Sequence, residues 1–194
     1  MTNADGDEMI YDTACVEVPL SRTTTVWRYA HISKGATIGE RCTVGEGVHI
    51  GPLVVVGNGC KLQNGAQLFE GVTLEDDVFI GPHAVFTNIE FPRAHVSRRT
   101  QFRTTRVCKG ASIGANATII CGLTIGSYAL IGAGSVVTHD VKPHEVVVGN
   151  PARHHGWCCT CGELLFRDRD CTVCGARFRF TVAGIERLST SATP

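Results

Sequence analysis

Residues 32–86 read ISKGATIGERCTVGEGVHIGPLVVVGNGCKLQNGAQLFEGVTLEDDVFIGPHAVF. Taken in steps of six, the stretch returns Ile32, Ile38, Val44, Ile50, Val56, Leu62, Leu68, Leu74, Ile80 and Phe86, without a slip. Four residues after each bulky residue stands a smaller one: Ala36, Cys42, Val48, Val54, Cys60, Ala66, Val72, Val78 and Ala84. The step resumes at Val107 and runs through Ile113, Ile119, Ile125, Ile131 and Val137, until Pro143 falls where the next apolar residue is due. In this second run the small partners are Ala111, Ala117, Ala129, Ser135 and Val141, with Leu123 a bulkier exception. A period of six is neither the 3.6 of a helix nor the two of a plain strand. Each unit is one short strand and a corner, with the large side chain filling the interior and the small one fitting where the chain turns. Three such sides close a triangular coil of about eighteen residues, and coils stack as parallel strands about 4.8 Å apart. Ordinary hairpins would instead need Asn-Gly or Asp-Gly turns at varied spacing. Residues about eighteen apart must therefore stack. Cys42 and Cys60 are predicted to lie one above the other as buried thiols, and His31 and His49 to form an outward pair.

The bulk properties agree with one good core and a small appendage. The 194 residues are 43% hydrophobic, and 18 Lys and Arg balance 18 Asp and Glu, which argues against disorder and against bulk attraction to nucleic acid. The opening MTNADGDEMIYD is acidic and has no apolar core of a signal peptide, and no apolar stretch approaches the length of a membrane span. A cytoplasmic protein without membrane or nucleic-acid partners is the expectation. Cys15, Cys42, Cys60, Cys108 and Cys121 are scattered through the body, whereas the other five of the ten cysteines fall between Cys158 and Cys174. In a reducing compartment that cluster reads as a metal site and the scattered ones as thiols.

The period lapses between Phe86 and Val107. The intervening TNIEFPRAHVSRRTQFRTTR carries Arg93, Arg98, Arg99, Arg103 and Arg106 against the single acid Glu90. A solenoid extrudes such insertions as loops, often on its binding face. Clustered guanidiniums suit a phosphate or diphosphate, which they can grip bidentately. Arg93, Arg98 and Arg99, with outward His31, are the candidate substrate-binding residues.

The repeat resembles that of the hexapeptide-repeat acyltransferases, which implies a left-handed winding, a homotrimer and active sites between subunits. CKLQNGAQLFEGVTLEDDVFIGPHAVFTNIEFPRA (residues 60–94), KGASIGANATIICGLTIGSYALIGAGSVVTHDV and VVGNPAR resemble the N-acetyltransferases acting on nucleotide-linked 3-amino sugars. The likeness runs from about Trp27 to Arg153 and includes Phe86, Thr87, Asn88, Pro92, Arg93 and Ala94 of an FTN-x-x-x-PRA element; Ile89 and Glu90 replace the Asp or Val common after the Asn. The implied reaction is attack of the amine of a UDP- or dTDP-linked 3-amino sugar on the thioester of acetyl-CoA. That chemistry needs a neutral amine, a donor for the oxyanion and a departing thiolate. The resemblance places Asn88 at the amine end as a polar positioner. Glu70 is a second catalytic candidate, because a carboxylate can orient the amine or a sugar hydroxyl. Related transferases use a histidine base, for which His83 and His95 are the candidates. For acetyl-CoA, the resemblance assigns the groove at Gly132, Ala133 and Gly134, closed by the turn of Gly149, Asn150, Pro151 and Arg153, with Arg153 toward a phosphate.

Residues 156–180, GWCCTCGELLFRDRDCTVCGARFRF, show two cysteine clusters, each followed by glycine, in a zinc-ribbon pattern. Spacing alone pairs Cys158 and Cys161 with Cys171 and Cys174; a C-x-C first cluster, as in some relatives, would take Cys159 instead. Five cysteines thus compete for four places around a structural Zn2+. The expected organisation is an N-terminal segment 1–25, an all-β left-handed β-helix 26–153 with a loop 88–106, a zinc-ribbon-like module 154–182 and a flexible tail 183–194. Two other readings compete: a zinc hydratase resembling γ-type carbonic anhydrase, which needs three converging histidines, and a non-catalytic solenoid scaffold.

Overall fold

The computed structural model describes residues 10–165, 170–181 and 184–188. These form strands and turns without a helix, wound as a parallel β-helix with three faces. One, here the histidine face, stacks seven strands from Cys15–Val16 through His31–Ile32, His49–Ile50, Gln67–Leu68, Val85–Phe86 and Thr118–Ile119 to Val136–Val137. The next, the loop face, runs Thr37–Ile38, Val55–Val56, Val72–Leu74, Thr105–Val107, Thr124–Ile125. The third, the appendage face, runs from Thr25–Val26 to Leu130–Ile131 and Glu145–Val148, then continues antiparallel through Arg153–Cys158 and Leu164–Leu165.

The expected interior is present. Ile32, Ile50, Leu62, Leu68, Ile80, Phe86, Ile113, Ile119 and Ile125 have no exposed surface. Cys42 and Cys60 sit in the core, donating their thiols to the carbonyls of Gly57 and Glu75 at 3.1 Å each. Coils touch through their backbones at the corners. A Cβ on Gly57 would stand 2.6 Å from the carbonyl carbon of Glu75, which leaves room for glycine only.

The coil extends past the six-residue pattern at both ends. Cys15 pairs with His31, a step of 16 rather than 18, so a search in steps of six misses this first strand; residues 15–25 belong to the solenoid and not to a separate segment. At the other end Leu130 pairs with Val146, again 16 apart, and a last strand follows Pro143. Gly184–Arg187 is a strand paired with Phe178–Thr181, so regular structure also continues beyond residue 183. The expected flexibility of residues 189–194 lies outside the described residues, as do residues 1–9, 166–169, 182 and 183.

The interruption adds no coil. Val72 pairs with Thr105, a step of 33 where regular neighbours step 18, so 15 residues leave the corner between the histidine and loop faces and return in register. The appendage is tied to the coil through His144. Its ring stacks on Tyr128 (5.3 Å), meets Phe178 edge-on (5.2 Å) and bonds the Cys158 carbonyl through Nδ1 (3.0 Å). Gly57→Ala is expected to destabilise the fold by about 1–3 kcal/mol through overpacking against the next coil, measured by urea denaturation.

Candidate active site and cysteine cluster

The insertion corner assembles most of the acceptor candidates. Gln67 pairs with Val85, so the turn holding Glu70 lies directly beneath the one holding Asn88. The Asn88 carbonyl accepts the Arg103 amide (3.0 Å), and this bond closes the neck of the loop. Arg103 reaches Glu90 at 2.6 Å, and Arg106 is paired with Glu75. Two of the five arginines are thereby neutralised within the loop and its root. Arg93, Arg98 and Arg99 have no carboxylate partner among the described residues. Arg98 bonds Gln101 at 2.8 Å, while its Nε is buried without a partner.

Glu75 secures the return of the insertion. Its carboxylate accepts the Arg106 side chain and the Lys109 amide (2.8 Å), and these bonds, Arg106 foremost, hold its pKa below the usual carboxylate range.

His31 and His49 form the expected outward pair, with ring centroids 5.3 Å apart. Phe69 joins them at 5.4 Å from His49, a neighbour that stepping by 18 and two along the strand would have revealed. His83 is elsewhere. It occupies the opposite edge of the histidine face at a left-handed corner (φ 55°) over Gly65, in a shallow depression of about 550 Å³ lined also by Tyr29, Glu46, Asn64 and Gln67. Within one chain it does not join Asn88 and Glu70. His95 is exposed in the loop.

Gly132, Ala133 and Gly134 turn at the same edge as His83. Gly134 has φ 69° and open space where a side chain would project. The turn after Val148 is anchored there, with the Gly149 amide donating to Ser135 Oγ (3.1 Å) and the Val136 amide to the Gly149 carbonyl (3.0 Å). Asn150 and Pro151 form its exposed tip. Arg153 instead lines a cleft of about 400 Å³ with Thr138, His139, Asp140, Glu145 and His154.

The thiols of Cys159, Cys161, Cys171 and Cys174 all lie within 4.8 Å of one another, with Cys159–Cys174 at 3.4 Å and Cys161–Cys171 at 3.5 Å. Metal–thiolate bonds of about 2.3 Å in a tetrahedron require sulfur separations of about 3.8 Å, so the cluster could hold a metal. Cys158 is not part of it. Successive side chains of a strand point to opposite sides, and its thiol turns to the coil, donating to the Tyr128 carbonyl at 3.2 Å. Burial pushes that thiol up to about 11.

Residues 34–69 match the hexapeptide repeat of succinyl-transferase, and residues 104–139 the bacterial transferase hexapeptide (six repeats). The fold and these repeats define a hexapeptide-repeat solenoid. In sequence, the chain is 45% identical over 89 residues to the dTDP-3-amino-3,6-dideoxy-alpha-D-galactopyranose 3-N-acetyltransferase of Aneurinibacillus thermoaerophilus, covering 45% of this chain and 46% of that protein. It is 36% identical over 86 residues to the galactoside O-acetyltransferase of Escherichia coli, 42% of each. The chain thus spans about half the length of these curated relatives. In structure it resembles the GDP-perosamine N-acetyltransferase of Caulobacter crescentus, solved with CoA and GDP-perosamine (25% identity, TM-score 0.57, covering 69% of this chain and 56% of that one). It also resembles a hexapeptide-repeat acetyltransferase of Vibrio cholerae complexed with acetyl-CoA (26%, TM-score 0.56, 63% and 70%). The coil is the left-handed β-helix of these structures.

Serine at Cys159, Cys161, Cys171 or Cys174 is expected to lower bound metal, read by elemental analysis, whereas Cys158→Ser retains it. The ion pair at Glu75 gives a pH signature. A carboxyl held lower in the folded than in the unfolded chain stabilises fully above the unfolded value, and that stability is lost as pH falls through the folded value. Glu75→Gln should therefore lose less stability than the parent protein between about pH 6 and pH 3, measured by urea midpoints.

Proposed function

We propose that the chain is an acetyl-CoA-dependent N-acetyltransferase for the amine of a UDP- or dTDP-linked 3-amino sugar. The observation that carries this reading is the stacking of Glu70 beneath Asn88 at the root of a loop whose Arg93, Arg98 and Arg99 lack carboxylate partners. Unpaired guanidiniums take the diphosphate, and the two polar side chains below take the sugar amine. The sequence relative named for a 3-amino-sugar 3-N-acetyltransferase supports the acceptor class, and the solved neighbours with CoA or acetyl-CoA support the donor.

In the reaction, the amine lone pair attacks the thioester carbonyl. The oxyanion collapses with formation of the amide and loss of the CoA thiolate, which takes up the proton released by nitrogen. A primary amine is a competent nucleophile once neutral, so Glu70 and Asn88 need only orient it and hold its hydrogens. The donor residues Gly132, Ala133, Gly134, Asn150 and Pro151 lie at the far edge of the histidine face from Asn88. Within one chain the two substrates would be held apart. A cleft between two copies joins one copy's donor edge to the other's acceptor corner, which supports the homotrimer with shared sites. His83, on the donor edge, would enter the site in that way.

Zinc is the metal proposed for the four thiols, a closed structural site that takes no part in the transfer. Among the described residues no helix is long and apolar enough to cross a membrane. Ten free cysteines fit a reducing cytoplasm. The hydratase reading loses support because His83 stands at a corner over Gly65 while His31 and His49 lie on the strands of the face, and no three histidines come together among the described residues. A passive scaffold leaves the unpaired arginines unexplained.

The test is release of free thiol from acetyl-CoA over a panel of UDP- and dTDP-linked 3-amino and 4-amino sugars. Asn88→Ala should lower turnover by about 10²-fold, the scale set by loss of one positioned polar group, with the oligomer intact. Ala133→Trp should block the donor groove. Mixing the two inactive variants should restore turnover if each site draws on two chains; no restoration would count against a shared site.

A further inference from the structure

Three rings form an exposed stripe on the histidine face that neither the core nor the transfer chemistry uses. His31 and His49 lie on adjacent strands, and Phe69, just past the next strand up, continues the row. The rings are tilted by 58° and 49° rather than laid flat on one another, so their faces are not consumed by mutual stacking. Phe69 keeps 36% of its surface exposed, although burying a phenyl ring is favourable. Burial, and then the neighbouring His31, push the His49 imidazole below its ordinary range, which favours its neutral form.

The stripe is not a second metal site. Among the described residues only the four cysteines bring three or more ligand atoms together, and His31 is engaged by Glu17 at 3.6 Å. Its position is what gives it meaning. Phe69 is the sequence neighbour of Glu70, so one end of the stripe adjoins the proposed amine site. From the level of Asn88 to that of His31 is three coils, about 14 Å at β-strand spacing. That is the reach of a sugar, a diphosphate and a ribose laid end to end.

We infer that His31 and His49, with Phe69 packed against His49, form the stacking platform for the nucleobase of the acceptor, and that the sugar and diphosphate span the coils between this platform and the amine site. The inference rests on the acceptor being a nucleotide-linked amino sugar. Charge complementarity favours this occupant. The loop bearing Arg93, Arg98 and Arg99, free of carboxylate partners among the described residues, leaves the corner one coil on from the Phe69 turn, and the far end of the stripe carries the carboxylate of Glu17. A ligand with its anionic group toward the loop and a neutral ring toward His31 is thus matched. Stacking of a base on aromatic rings tolerates any base, so the platform sets the requirement for a nucleotide rather than the choice between uracil and thymine.

The experiment measures binding of UDP and dTDP, without sugar, by calorimetry, alongside acetyl transfer by the full chain. Phe69→Leu and His49→Ala are surface changes, and unaltered thermal unfolding would verify their fold. Each is expected to weaken nucleotide binding about tenfold and to raise KM for the nucleotide sugar, leaving KM for acetyl-CoA unchanged. Nucleotide binding equal to that of the parent protein in both variants overturns the platform. So does a parent protein that acetylates amino sugars but does not bind UDP or dTDP, an outcome that leaves the N-acetyltransferase reading standing. Nucleotide binding that depends on Phe69 and His49 without any acetyl transfer would support the platform and remove the proposed reaction instead.

Discussion

Everything in this chain hangs on the fit of one coil onto the next. Parallel strands hydrogen-bond at a spacing of about 4.8 Å, and at that distance a bulky residue in each side must meet its own kind above and below. Phe86 lies over Leu68 and under Ile119, all without exposed surface. A residue gained or lost within a coil would turn inward groups outward. The corners are held as tightly, since Gly57 meets the backbone of the coil above with no space for a methyl group. A structure so intolerant of change within its turns varies at its ends, where the step shortens to 16, and between them by extruding chain from a corner and taking it back in register.

The 15-residue insertion does this. The amide of Thr105 bonds the carbonyl of Gly71 and that of Arg103 the carbonyl of Asn88, so the loop leaves and returns through a neck closed by backbone bonds. Glu75 then grips Arg106 and Lys109 just beyond the neck. The cost of ordering chain falls on the loop alone, while the coils supply rigid footing for the side chains at its root. Chemistry that needs positioning more than proton transfer is well served by that division.

The interior could be read in advance because a period of six repeats often enough to exceed chance, and the position of the lapse was visible for the same reason. The end strands escaped because their step is 16. Within the insertion, composition shows five arginines but not their partners. Arg106 is neutralised by Glu75, 31 residues earlier, which no local pattern reveals. The cysteines illustrate the same limit. Spacing fits Cys158 as well as Cys159, and the choice is made by strand direction, which turns one thiol to the coil and the other to the cluster. His83 was legible in principle, since five residues before Asn88 is nearly one side of the prism away.

That last separation has a consequence for assembly. A triangular prism presents its edges in three directions, so two edges of one copy cannot face a single cleft. Asn88 and Glu70 lie on one edge, and His83 with Gly134 on another, with a buried-core strand such as Val85–Phe86 between them. Moving either set would require breaking the register that stabilises the coil. Packing copies side by side brings unlike edges together without disturbing any coil. Under the proposed function, assembly would be the means by which an inflexible fold makes a two-substrate site, with the face between the two edges, carrying His31, His49 and Phe69, left to hold the rest of the acceptor.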